Sequence, residues 1–384
     1  MAMVVCGAMT RWIATACLVL WACSSSQGEI DAVDSGPSDS SADVEAALPM
    51  LDFPVDEKGP FQVGYRTMDV SYQPPGTESP RSLVLNIWYP TEQTEGENPT
   101  YLFFLDTESI VDASLAPPVH PDGYPVHIYS HGHRGFGGTA SFMMRYFASH
   151  GWVVLAPDHT GNTLSDTIDP RPVSLYFLRA TDISASLDAV AALDPADPLS
   201  GSLLLDDVLM SGHSFGVHTC WASAGATFAI EELTANHCDS EGDEVVCTSD
   251  ELAVFEAGVG DERIAAVIPM AGSIDRSLFG ETGHTSVRVP IFAMSAVPDP
   301  RGEAEQFTSC TGLDLTWIDV EDACHETFAL GMCDTLDPDE GFTIVQTYAL
   351  AFARAQLLGD QTAAVLGILD GSVAVSDKVL FHSQ

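Results

Sequence analysis

The feature that most narrows the architecture is Val208-Leu209-Met210-Ser211-Gly212-His213-Ser214-Phe215-Gly216, a short apolar run that enters a glycine-flanked serine and passes at once into a helical pattern. A strand that becomes a helix within a residue or two needs small side chains where the two elements cross. Glycines at 212 and 216 provide them. A hydroxyl at the apex of such a turn stands above the carboxyl edge of a parallel sheet, beside helix N–H groups that face developing negative charge. Taken alone, the pentapeptide also fits a plain strand-to-helix turn, so its surroundings decide.

Those surroundings alternate strand and helix. From Tyr65 onward, β-branched and aromatic runs are separated by helical patterns and turn residues, which predicts an α/β fold: an eight-stranded, mostly parallel sheet with helices on both faces. The strands read as 67–72 and 82–89, an antiparallel pair, then 126–130, 152–157, 207–211, 264–270, 290–295 and 315–320. Helical spacing falls on a segment ending near His150, on 175–193, on 215–228 and on 343–358. No internal repeat and no second core are apparent.

A serine hydroxyl is a poor nucleophile near neutrality and needs a general base held by a third group. On a sheet of this type the chain order is serine, acid, histidine. His325 follows the last strand in Glu321-Asp322-Ala323-Cys324-His325, and Asp299 follows the preceding one in Val297-Pro298-Asp299-Pro300. Glu303, Glu305 and Asp275 are the alternative acids. A tetrahedral intermediate would need two donors. Phe215 N–H is one; His133 N–H, in the loop His131-Gly132-His133-Arg134-Gly135 after the third strand, is the other, with Arg134 as the alternative. The pairs His131/His133 and Asp158-His159 raise a metallohydrolase as a rival class. The His-x-His-x-Asp-His pattern requires an acid at 135, which is Gly135, and this weighs against a metal.

The ends and the composition set the compartment. After Arg11, the run Trp12–Ala22 is apolar and too short to span a bilayer, as in a signal peptide. It closes on Leu20-Trp21-Ala22-Cys23, the arrangement of a bacterial lipobox, with Trp21 bulkier than usual. Residues 1–23 are thus expected to be a lipoprotein signal with Cys23 lipidated, and Ser24 after it favours the outer membrane; a secretory signal cut nearby is the alternative. Residues 24–55, rich in Ser, Asp and Ala, are expected to be a flexible acidic tether, and 56–384 the folded domain. Fourteen Lys plus Arg against 55 Asp plus Glu give a net charge of −41, which repels polyanions and makes nucleic acid an unsuitable partner. Six cysteines follow the lipobox, an even set suited to disulfides outside the cytoplasm. Cys238 and Cys247 flank a polar stretch and could close a short loop; Cys310 with Cys324 or Cys333 is a further candidate, and Cys220 reads as a buried thiol.

At these residues the chain resembles the platelet-activating-factor acetylhydrolase-like branch of the α/β-hydrolases, including bacterial secreted esterases labelled as predicted dienelactone hydrolases. The likeness runs from Gly59 to Leu369. It is carried by Leu85-Asn86-Ile87-Trp88-Tyr89-Pro90, Ser130-His131-Gly132, Ala148-Ser149-His150-Gly151-Trp152-Val153-Val154, Pro157-Asp158-His159-Thr160-Gly161-Asn162-Thr163 and Gly212–Gly216. The resemblance implies Ser214 as nucleophile, Asp299 as acid, His325 as base, and His133 and Phe215 as oxyanion donors. It implies hydrolysis of short-chain or accessible carboxylic esters, small or lipid-like, through an acyl-enzyme and without metal or organic cofactor. Val217, Cys324 and Glu326 depart from the family pattern at places where Gly, Gly and Phe are usual. The segment 231–260 reads either as a pocket border or as a solvated acidic loop. A catalytically silent surface lipoprotein that uses the same scaffold for binding is the competing reading.

Overall fold

The computed structural model describes residues 49–238, 247–297 and 306–382. Cys23, the signal segment and residues 24–48 of the expected tether lie outside them. Twelve strands are present among the described residues: β1 (Gln62–Tyr72), β2 (Arg81–Thr91), the small hairpin β3 (Thr100–Tyr101) and β4 (Phe104–Leu105), β5 (Ser109–Val111), β6 (Tyr124–Ser130), β7 (Val153–Pro157), β8 (Leu203–His213), β9 (Ile264–Met270), β10 (Ile291–Val297), β11 (Leu315–Glu321) and β12 (Val379–His382). The helices are α1 (Ser141–Ser149), α2 (Leu175–Ala191), α3 (Phe215–Ser223), α4 (Ile230–Leu233), α5 (Ser249–Ala257), α6 (Arg276–Phe279), α7 (Pro338–Leu357) and α8 (Ala363–Leu369).

Ten strands form one sheet in the order β12-β11-β10-β9-β8-β6-β7-β2-β1-β5, parallel from β11 through β7 and antiparallel at β7–β2, β2–β1 and β11–β12. The sheet is therefore mostly parallel, with ten strands rather than eight. The two additions are the edge strands β5 and β12, three and four residues long, too short for an alternating pattern to register.

Period-two alternation divides the core between the faces. On β2, Leu85, Ile87 and Tyr89 join the cluster that holds α2 and α3, whereas Trp88 joins the one that holds α1 and α7. Helix α7 starts five residues earlier than expected, because Asp337 accepts from the Asp339 and Glu340 N–H groups and Pro338 occupies the first turn, where its missing N–H costs nothing. Helix α3 ends five residues earlier, at Ser223. The chain then passes through Gly225 at φ +90°, a conformation that a helix cannot continue through.

Residues 49–55, assigned by composition to the tether, belong to the folded body. Met50 and Val55 are buried, and the buried Arg354 donates to the Leu51 and Phe53 carbonyls at 2.6 and 2.5 Å while pairing with Asp360 at 2.6 Å. Among the described residues two disulfides are formed, Cys238–Cys247 and Cys324–Cys333. The second corrects the pairing considered for Cys310, which, like Cys220, is a buried thiol. Burial pushes the Cys310 pKa up to about 11.

Candidate active site

Ser214 sits between β8 and α3 at φ 55°, ψ −113°, a strained region for a residue with a side chain. Its N–H donates to Met270 O on β9 at 2.9 Å, which fixes the apex over the sheet's carboxyl edge. Both neighbouring glycines are required by space. A Cβ on Gly216 would lie 2.0 Å from Ser130 O, and one on Gly212 would lie 2.3 Å from Gly216 O.

His325 begins a short 3-10 turn, His325–Phe328, beyond the end of β11. Two constraints place it. Cys324 is cross-linked to Cys333, and the His213 imidazole donates its Nε2–H to the His325 carbonyl at 2.9 Å, the two rings lying 4.5 Å apart. Ser214, His325, His133 and Gly132 line one cleft of about 420 Å³, within the size range of small-molecule sites. The structure thus brings Ser214 and His325 together from 111 residues apart in sequence.

The expected oxyanion donors flank that cleft. Phe215 is the first residue of α3, and His133 follows Gly132, whose Cβ, if present, would stand 3.2 Å from Ser214 Cβ. Among the described residues neither N–H is given to a protein acceptor. Arg134, the alternative donor, has its N–H committed to Asn162 O at 3.1 Å. Asp299, Glu303 and Glu305 lie outside the described residues. Asp275, the remaining alternative acid, caps α6 instead, accepting from Ser277 N–H at 3.1 Å.

Beneath the loop lies a buried polar network that sequence patterns did not reveal. Arg179, on α2, donates to Ser130 Oγ (2.9 Å), to Asn162 Oδ1 (2.7 Å), to Thr219 Oγ1 (3.1 Å) and to His131 O. Ser130 Oγ meets His159 Nε2 at 2.9 Å, and His159 Nδ1 meets Asp182 at 2.8 Å; Asp182 is held in turn by Arg81 and Tyr72. This Ser–His–Asp series is fully enclosed, so no substrate reaches it. Burial pushes the His159 pKa down to about 3 and lowers that of Arg179 to about 9. Asp182 stays ionised, because its hydrogen bonds from Arg81 and His159 and its charge pairing with Arg81 outweigh the penalty of burial. His131 accepts His159 N–H at 3.0 Å and donates Nδ1–H to Gly132 O at 2.7 Å. His131 and His159, the imidazoles that a metal site would need, therefore spend all their ring nitrogens within the protein. The available signal was Arg179 itself, the one cation of α2, set in the apolar stretch Leu175–Ala180.

The mouth of the cleft is apolar. Phe103, Phe104, Leu164 and Met332 line it, and Phe103, Met332 and the neighbouring Leu105 are 68, 61 and 63% exposed. Phe103, Phe104 and Phe136 follow one another at centroid spacings of 4.5 and 5.9 Å, leading from the hairpin tip into the cleft. None of the described residues in 231–260 lines it.

The family model for platelet-activating factor acetylhydrolase, isoform II, matches residues 100–170, the stretch that holds the apolar hairpin and the His131–Gly135 loop. Among solved structures, a ferulic acid esterase from Streptomyces cinnamoneus superposes with a TM-score of 0.60 at 19% identity, covering 84% of this chain and 97% of that one. No curated protein matches the chain. The structural match shows a shared fold, the α/β-hydrolase fold, and the family model matches 71 of the 384 residues.

Proposed function

We propose that the chain is a serine carboxylic-ester hydrolase. The observation that carries this is Ser214 raised on a positive-φ turn into the same cleft as His325. In this reading Ser214 Oγ attacks the ester carbonyl while His325 takes its proton, and Asp299 orients the imidazole and stabilises the imidazolium. The His133 and Phe215 N–H groups receive the oxyanion. The alcohol leaves with the proton from His325, and water attacks the acyl-enzyme by the same route in reverse. The open, apolar mouth suits small or lipid-like esters, and a chain of net charge −41 disfavours anionic ones.

The test is hydrolysis of p-nitrophenyl acetate, propionate and butyrate by the wild type and by Ser214→Ala. Turnover is expected in the first alone, and equal background rates in both would leave the silent-scaffold reading. We further propose that Cys23 carries a lipid that anchors the enzyme in the cell envelope, at the outer membrane, with residues 24–48 as tether. Mass spectrometry of the mature N-terminus checks this; an unmodified Cys23, or cleavage elsewhere, rules it out.

A further inference from the structure

The orientation of every hydrogen bond between Arg179 and the cleft can be deduced, and it ends on an exposed ring. A guanidinium can only donate, so Asn162 Oδ1 is the atom that meets Arg179 Nη1 at 2.7 Å. The other end of that amide, Nδ2, is then a donor. It lies 2.7 Å from His133 Nδ1, which must accept and so carries no proton. A neutral imidazole with an unprotonated Nδ1 has its proton on Nε2. His133 is exposed and lines the cleft beside Ser214, and among the described residues its Nε2 has no protein partner.

We infer that the His133 side chain is a fixed, neutral hydrogen-bond donor to the substrate, with its tautomer set by Arg179 through Asn162, and that it selects esters bearing an acceptor oxygen beside the scissile group. The inference rests on the serine-esterase reading of the same cleft. The substrate class is an ester whose acyl or alcohol part contains an ether, hydroxyl or second carbonyl oxygen, as opposed to a plain hydrocarbon chain. Protonation of His133 would bring two donors face to face at Asn162. Desolvation, followed by the charges of Arg171, Arg134 and Arg179, lowers the His133 pKa and keeps the neutral form. Arg179 and Asn162 are positioning residues, since both are buried and neither lines the cleft.

Two isosteric pairs test this: p-nitrophenyl methoxyacetate against butyrate on the acyl side, and methoxyethyl acetate against butyl acetate on the alcohol side. In each, one oxygen replaces one methylene, and the ratio of kcat/KM values within a pair cancels differences in enzyme folding. The intrinsic reactivity of the esters cancels between variants. His133→Phe keeps a ring without a donor, and is expected to lower the oxygen-to-methylene ratio about three- to tenfold in one of the pairs. Asn162→Asp turns the donor into an acceptor, moving the His133 proton to Nδ1, and is expected to lower the same ratio although the imidazole remains. Nitrogen-15 NMR of the free protein should show His133 as the Nε2–H tautomer in the wild type and as Nδ1–H in Asn162→Asp. Unchanged ratios in both pairs, or an Nδ1–H wild type, would overturn the inference while Ser214-dependent turnover left the esterase reading standing. Rates that survive Ser214→Ala would sink the esterase reading, and this inference with it.

Discussion

The His213 imidazole donates to the main-chain carbonyl of His325 across 2.9 Å, so the residue before the proposed nucleophile holds the backbone of the proposed base. His213→Phe keeps the bulk and removes the bond. A displacement of the base by a fraction of an ångström is expected to lower kcat roughly 10- to 100-fold with KM nearly constant. Steady-state kinetics on p-nitrophenyl butyrate measure this, and an unchanged kcat would show that His325 is held by other contacts.

Asp299→Asn is expected to cost on the order of 10⁴ in kcat, because an amide stabilises the wrong imidazole tautomer and cannot balance the imidazolium. Near-normal turnover would move the acid to Glu303 or Glu305, each of which can be replaced by its amide in turn.

Both disulfides join cysteines nine residues apart, so chain entropy gives them equal stabilising effects, roughly 2–3 kcal/mol each. Removing either pair with serine should lower Tm by similar amounts. Only Cys324→Ser/Cys333→Ser is expected to lower kcat, by at least about tenfold, since that loop carries His325. Equal kcat losses in the two variants would contradict a specific role for the second bridge.

The exposed hairpin tip should favour longer acyl chains. Phe103→Ser/Leu105→Ser removes apolar surface beside the cleft, and kcat/KM for p-nitrophenyl octanoate is expected to drop about three- to tenfold, with little change for the acetate. Equal effects on both esters would show that the hairpin supports the fold rather than the substrate.

Four buried histidines predict a steep acid limit. Burial pushes the pKa values of His127 and His159 down to about 3, and those of His150 and His218 down to about 4. Each is neutral in the folded chain, while the unfolded chain takes up a proton near pH ~6.5. The unfolded state therefore binds more protons between those limits. Stability is complete above about pH 6.5 and falls by about 1.4 kcal/mol per pH unit per histidine as pH drops towards 4. Thermal melts from pH 7.5 to 4 should show Tm falling with increasing slope below about pH 6.5; a flat profile would mean that these rings are not held neutral.

Much of this organisation is legible in the sequence because it rests on local periodicity. The turn at Gly212–Gly216 and the succession of strands and helices along the chain follow from residue size and spacing. The edge strands and the 49–55 segment escaped for the opposite reason. Their assignment depends on a distant partner, such as Arg354 on α7 reaching the Leu51 and Phe53 carbonyls. The Arg179 network also joins β6, α2, α3 and the 159–163 loop through single side chains, a relation that no window along the chain contains. Composition suggested a tether up to residue 55 because it weighs polar content, and it misses two anchoring apolar residues, Met50 and Val55.

The brevity of β5 and β12 bears on how this chain behaves in a crowded solution. An open sheet ends in two edges, where unpaired backbone groups are a template on which a second molecule can add a strand; on β5 the Val111 N–H and the Ser109 carbonyl are already taken by Glu97 O and Asn98 Nδ2. Here the templates are three and four residues long. Val379–His382 also covers Trp317-Ile318-Asp319-Val320 of β11, which would otherwise stand as the open margin of a seven-residue strand. A tag or truncation that displaces those four residues would thus be expected to promote fibrous or amorphous aggregates, long before it disturbs the chemistry of the cleft.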